Sequence, residues 1–299
     1  MFWRLVAAFA AVYVIWGSTY LGIRVAVETI PPLWMAGLRQ TTAGLLLYAW
    51  LRWRGTPRPE RIHWRSAAIV GALMLLIGNG GVAWAERVVP SGLTALLVAT
   101  SPLWMALIEW LWHGEKRPGG QMVAGLILGL VGASVLVAPA SVGGSPVNGW
   151  GALALLVATL GWAAGALYSR RARLPESSFL GAAMEMSTGG AMLLVASVLL
   201  GEWRGFAWAN VSTRSWVALL YLTTFGSMVA YTVYMWLLKV STAARVSTTA
   251  YVNPIIAVLL GWWLGGEMIG ARIILAAGII VVAVALIISH RPALPSETA

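Results

Sequence analysis

Arg39 and Glu185 are the residues whose chemistry is hardest to set aside. Each lies inside an apolar run, 33–52 and 178–200 respectively, and an ionisable group within a membrane-length segment marks a functional position by default. Counting inward from the ends of their runs at ~1.5 Å per residue leaves on the order of 10 Å of depth between them. A direct ion pair would need long side chains and favourable tilt, and separate partners serve equally well. A buried Glu185 would also be a place to take up and release a proton, although no relay accompanies it. Around these charges stand groups suited to non-covalent recognition. Trp16 with Tyr20 one turn on, and Trp162 with Tyr168, recur at similar depth in two apolar runs. They read either as buried packing aromatics or as a flat wall for an apolar ligand. Asn79, within Gly78-Asn79-Gly80-Gly81, either bonds across closely packed helices or reads a substrate carboxylate or amine from a locally loosened helix. Ser101 precedes Pro102, and Tyr251 and Asn253 precede Pro254. A proline at this depth frees backbone polar groups that neighbouring hydroxyls and amides must satisfy, and a polar pocket needs the same groups.

These residues bind; nothing in the pattern reacts. The sequence holds no nucleophile elbow, no phosphate-binding glycine loop and no paired carboxylates beside a histidine. It has no cysteine and three histidines, His63, His113 and His290, none near another at ligand spacing. Neither an enzyme nor a metal or cofactor site is expected.

The elements that hold these groups follow from composition. Of 299 residues, 60% are hydrophobic and 10% charged, where a soluble domain of this size carries roughly a quarter charged. Apolar runs near membrane length fall at 5–26, 33–52, 66–86, 92–112, 119–139, 148–168, 178–200, 214–238, 246–264 and 270–289. The first continues apolar past Gly17, which argues against a cleaved signal peptide. The net charge of +10 sits in the short connections between runs rather than on a polar module, which excludes a nucleic-acid binder. With the N-terminus inside, fourteen Lys and Arg residues fall in cytoplasmic connections and five outside, placing both termini in the cytoplasm.

The runs then repeat. Trp16 to Arg24 aligns with Trp162 to Arg170 at an offset of 146, which also carries Arg39 onto Glu185. A second pair, Pro102 to Gly114-Glu115 and Pro254 to Gly266-Glu267, places eleven mostly apolar residues between proline and Gly-Glu, at an offset of 152. The expected fold is an all-α integral membrane protein of ten transmembrane helices. Residues 1–140 and 141–292 form two five-helix repeats, and 293–299 a cytoplasmic tail. Five is odd, so the repeats are inverted, an arrangement that places a binding site between the halves near the midplane.

A chain with Trp16-Gly17-Ser18-Thr19-Tyr20 in its first run and Tyr251-Val252-Asn253-Pro254 twelve residues before Gly266-Glu267 resembles the EamA-type branch of the drug/metabolite transporter superfamily, and within it the bacterial inner-membrane exporters. The resemblance spans roughly residues 5 to 290. It implies an inner-membrane carrier that exports amino acids, aromatic and hydrophobic ones included, or related small metabolites by alternating access. The expected substrate-binding residues are Trp16, Tyr20, Asn79, Ser101, Trp162, Tyr168, Tyr251 and Asn253. Pro102, Pro254, Gly78 and Gly80 would shape the bends, and Arg39 and Glu185 are the intramembrane charges. A multidrug exporter of cations, with Glu185 its only candidate acid, a passive facilitator, and an intramembrane enzyme or structural partner protein are the rival readings, the missing catalytic set counting against the enzyme. Partners are a small-molecule substrate and membrane lipid, with no nucleic acid; the oligomeric state is left open.

Overall fold

The computed structural model describes residues 2–85, 97–113, 119–137, 149–265 and 271–289, apart from a few side chains inside helices, among them those of Tyr20, Arg24 and Pro254. Every regular element among the described residues is helical. In chain order they are α1 (Phe2–Ala26), α2 (Pro32–Trp53), α3 (Arg61–Val70), α4 (Gly80–Ala85), α5 (Ser101–His113), α6 (Gly120–Val137), α7 (Gly149–Ser169), α8 (Ser178–Leu199), α9 (Thr213–Tyr221), α10 (Thr232–Val240), α11 (Ala243–Ser247), α12 (Thr249–Gly265) and α13 (Ala271–Ser289). Two π-helical stretches, Gly71–Asn79 and Leu222–Tyr231, join α3 to α4 and α9 to α10 without a break. Among the described residues, five spans are long and apolar enough to cross a membrane: 2–23, 61–85, 149–169, 178–199 and 213–240. Large apolar side chains on the outer faces of the helices, such as Leu45, Leu46, Val195, Val217 and Ile274, are exposed. In water so broad an apolar surface would aggregate; facing lipid, it is the expected exterior.

Inside, small residues set the helix spacing. α2 and α8 pack along nearly their whole lengths because glycines bring the backbones together. A Cβ added at Gly190 would lie 2.4 Å from the Thr41 amide nitrogen, and one at Gly44 2.5 Å from that of Ser187. α6 packs on α13 in the same manner, with Gly125 and Gly132 against Ile287 and Ile280. The other main contacts come in matching sets. The first π stretch lies on α7 and the second on α1, while α5 contacts α7 and α12 contacts α1.

Pro102 stands at a helix start rather than inside a helix. The apolar run that holds Pro102 turns at Ala99-Thr100, and α5 begins at Ser101. Pro102 therefore occupies a first helical turn, where its missing N–H costs nothing, rather than kinking a helix. The freed carbonyls are met locally: the hydroxyl of Thr100 donates to Leu97 at 2.6 Å and that of Ser101 to Val98 at 2.7 Å. In the later run the interruption falls at Thr248, between α11 and α12, six residues before Pro254. There the hydroxyls of Ser247, Thr248 and Thr249 donate to the carbonyls of Ala244, Arg245 and Val246. Glu86, Arg87, Glu115 and Glu267 lie outside the described residues.

Candidate functional site

One cavity of about 150 Å³ opens between elements drawn from both ends of the chain. Trp16 and Thr19 of α1, Arg39 and Gln40 of α2, Gly78 and Asn79 of the first π stretch and Ser101 of α5 line it. From the later part come Thr159 and Trp162 of α7, Gly226 and Tyr231 of the second π stretch, Tyr234 of α10, and Thr249 and Asn253 of α12. A cavity of this order holds a benzene-sized molecule.

Three aromatic rings form the core of the wall. Trp16 and Trp162 meet edge to face at 5.6 Å between centroids, and Tyr234 touches both, at 4.8 Å from Trp16 and 5.6 Å from Trp162. The Trp16 indole N–H donates to the Gly226 carbonyl at 3.1 Å, and that of Trp162 to the Tyr234 hydroxyl at 3.1 Å. Trp162 in turn lies on Gly78, where an added Cβ would come within 3.2 Å of its ring. Each tryptophan is thus seated on the π-helical stretch of the other half of the chain. Such stretches shift the backbone ladder to i→i+5 and occur often at functional sites. Here they carry Gly78-Asn79 and Gly226-Tyr231 into the cavity wall.

The polar part of the wall is incompletely paired. Arg39 is 7% exposed, and its Nε and Nη1 have no hydrogen-bond partner among the described residues; the same holds for Oε1 of Gln40 and Oδ1 of Asn253. Glu185 is fully buried on α8 behind the cavity. Its Oε2 accepts from the Tyr231 hydroxyl at 3.0 Å and its Oε1 has no partner among the described residues. Arg39 and Glu185 form no ion pair with each other, so the two intramembrane charges have separate surroundings.

Of the residues expected from sequence, the fold brings Trp16, Gly78, Asn79, Ser101, Trp162, Asn253 and Arg39 to this one cavity. It does not bring Tyr251 there. That ring is buried between α6 and α13, lies against Gly129 and donates to the Leu126 carbonyl at 3.2 Å. Tyr168 is half-buried against the main core away from the cavity, and Gly80 packs on Leu193. The side chains of Tyr20 and Pro254 lie outside the described residues.

Sequence reasoning missed Gln40, Thr159, Tyr231 and Tyr234. A signal for one existed: the 152 residues separating Pro102 from Pro254 also separate Asn79 from Tyr231. The earlier offset of 146 fails past α2 because the connection 200–212 has thirteen residues where 54–60 has seven.

Comparison with known proteins agrees with this architecture. The model of the EamA-like transporter family matches residues 2–138 and again 149–289. The uncharacterized inner membrane transporter YedA of Escherichia coli (strain K12) is 40% identical over 294 residues, covering 98% of this chain and 93% of that one. Protein PecM of Dickeya dadantii is 26% identical, covering 95% and 94%. A crystal structure 21% identical in sequence superposes with a TM-score of 0.78 over 95% of both chains, which shows a shared fold.

Proposed function

This chain belongs to the EamA-like transporter family, and from that premise we propose that it exports amino acids, bulky apolar and aromatic ones included, or related small metabolites. The carrier works by alternating access across the inner membrane. Ten transmembrane helices act as two inverted repeats, 1–140 and 141–292, with both termini and the 293–299 tail in the cytoplasm. The positive charge of the cytoplasmic connections supports that orientation, and the relative YedA is named as an inner membrane transporter.

The observation that carries the reading is the aromatic cluster of Trp16, Trp162 and Tyr234, with each tryptophan seated on the π stretch from the opposite half. A ligand between these rings touches both halves at once. Rocking one half against the other would then expose it to alternate sides, the behaviour of carriers built from inverted repeats. The cavity's size suits a small zwitterion or metabolite. A cation exporter needs an acid in the cavity, and Glu185 stands behind Tyr231 with one oxygen already bound, which counts against that rival.

Counterflow in proteoliposomes tests the proposal. Vesicles preloaded with one unlabelled amino acid at a time should accumulate labelled tracer saturably, and Trp162→Ala should weaken that accumulation. Absence of counterflow for every amino acid, in folded protein, would remove the substrate class; flux without counterflow or saturation would establish a facilitator.

A further inference from the structure

Among the described residues that line the cavity, Arg39 is the charged side chain left without a partner. It lies in α2 with 7% of its surface exposed, faces the cavity, and makes no hydrogen bond or ion pair among the described residues. A buried guanidinium is ordinarily matched by a carboxylate, because leaving water without a counter-charge is strongly unfavourable. The nearest candidate by sequence, Glu185 on the adjoining helix α8, is instead bound to Tyr231. Neutral acceptors line the same cavity, Gln40 Oε1 and Asn253 Oδ1 among them, and neither bonds Arg39. The site therefore presents a positive charge, with donors in a fork that matches a carboxylate, and lacks the anion.

We infer that Arg39 holds the carboxylate of the transported molecule, so that the substrate class is carboxylates and excludes their neutral amides and simple cations. The inference rests on the reading of this cavity as the transport site. A carboxylate at Arg39 leaves the rest of an amino acid to the Trp16, Trp162 and Tyr234 rings of the same 150 Å³ space. Recognition resides in the acid group and the amine is secondary, so deaminated acids of the same skeleton are also bound. Gln40 and Asn79 supply amides to the remaining polar atoms.

The test uses phenylalanine and leucine, each as the free acid, the amide and the deaminated acid, in competition for counterflow by the full-length protein in proteoliposomes. Wild type should favour both acids over the amide by on the order of 10- to 100-fold, the range expected for one charge-assisted contact. Arg39→Gln should erase that preference, and Arg39→Lys, which keeps the charge without the fork, should retain part of it. Should Arg39→Gln fail to give folded protein, the wild-type acid-to-amide ratio and the Arg39→Lys variant still decide. Amides competing as well as acids in the wild type, or a preference undiminished in Arg39→Gln, would overturn the inference while leaving the transport reading intact. Counterflow of none of these molecules, nor of any other amino acid, would remove both together.

Discussion

Replacing Gly190 by alanine should unfasten the contact on which the cavity's geometry depends. The new Cβ would sit 2.4 Å from the Thr41 amide nitrogen and 2.5 Å from its Oγ1, where ordinary contact begins near 3.4 Å. The nearest atom is backbone, so no rotamer change relieves the clash, and α2 and α8 must separate by roughly 1 Å. Forcing an extra methyl into a tight core costs about 1–3 kcal/mol, or roughly 5- to 150-fold in the unfolding equilibrium. Gly278, on an exposed face of α13 with nothing within 4 Å of its added Cβ, supplies the opposite case. Alanine there removes a helix penalty of about 0.8–1 kcal/mol as measured in water, so its effect should be neutral to stabilising. The two changes are chemically identical and should differ in sign. Reversible unfolding in mixed detergent micelles, followed by circular dichroism, gives both values. Because Arg39 and Gln40 lie two and one residues before Thr41, Gly190→Ala should also slow transport. If Gly190→Ala were as stable as Gly278→Ala, α2 and α8 would not pack as described.

Three further outcomes follow from the site. Tyr231→Phe leaves the Glu185 carboxyl without its one hydrogen-bond donor and should destabilise the protein by about 1–3 kcal/mol; in a Glu185→Gln background the same change should cost less, measured as a double-mutant cycle. Glu185→Gln alone should spare amino-acid counterflow, whereas loss of all transport would make the carboxylate part of the coupling. Trp16→Phe keeps a ring but removes the N–H bound to Gly226, and should weaken counterflow several-fold through a contact worth about 0.5–1.5 kcal/mol. A fluorescent-protein fusion at the C-terminus should fluoresce in cells and an alkaline phosphatase fusion there should stay inactive, reporting a cytoplasmic tail.

Much of this architecture was legible in the chain because the membrane imposes it. Apolar runs near 20 residues locate helices with little ambiguity, and the span that holds Trp162 ends within one residue of its expected limit. Cavity residues such as Trp16, Asn79 and Asn253 stood out because polar or bulky aromatic groups at such depth need a reason. The π stretches showed only as the loosened helix expected at Gly78-Asn79, since a shift from i→i+4 to i→i+5 over nine or ten residues leaves apolar composition unchanged. Tyr251 and Tyr234 show the limit more sharply. Both are tyrosines deep in apolar runs, and only the neighbouring helices decide that one meets Gly129 and the other Trp162. Pro102 was misplaced for a related reason: composition marks an apolar run but not the turn at Thr100 that divides it.

The central claim is that the cavity between the halves is the place where the transported molecule sits. The chain has no native cysteine, so a single cysteine at Ala158, on the cavity wall beside Thr159, can be probed without background. In membrane vesicles this cysteine should react with small thiol reagents from either side, and a saturating amino acid that shows counterflow should slow the reaction severalfold. Labelling at Ala158→Cys that such an amino acid leaves unchanged would contradict the account.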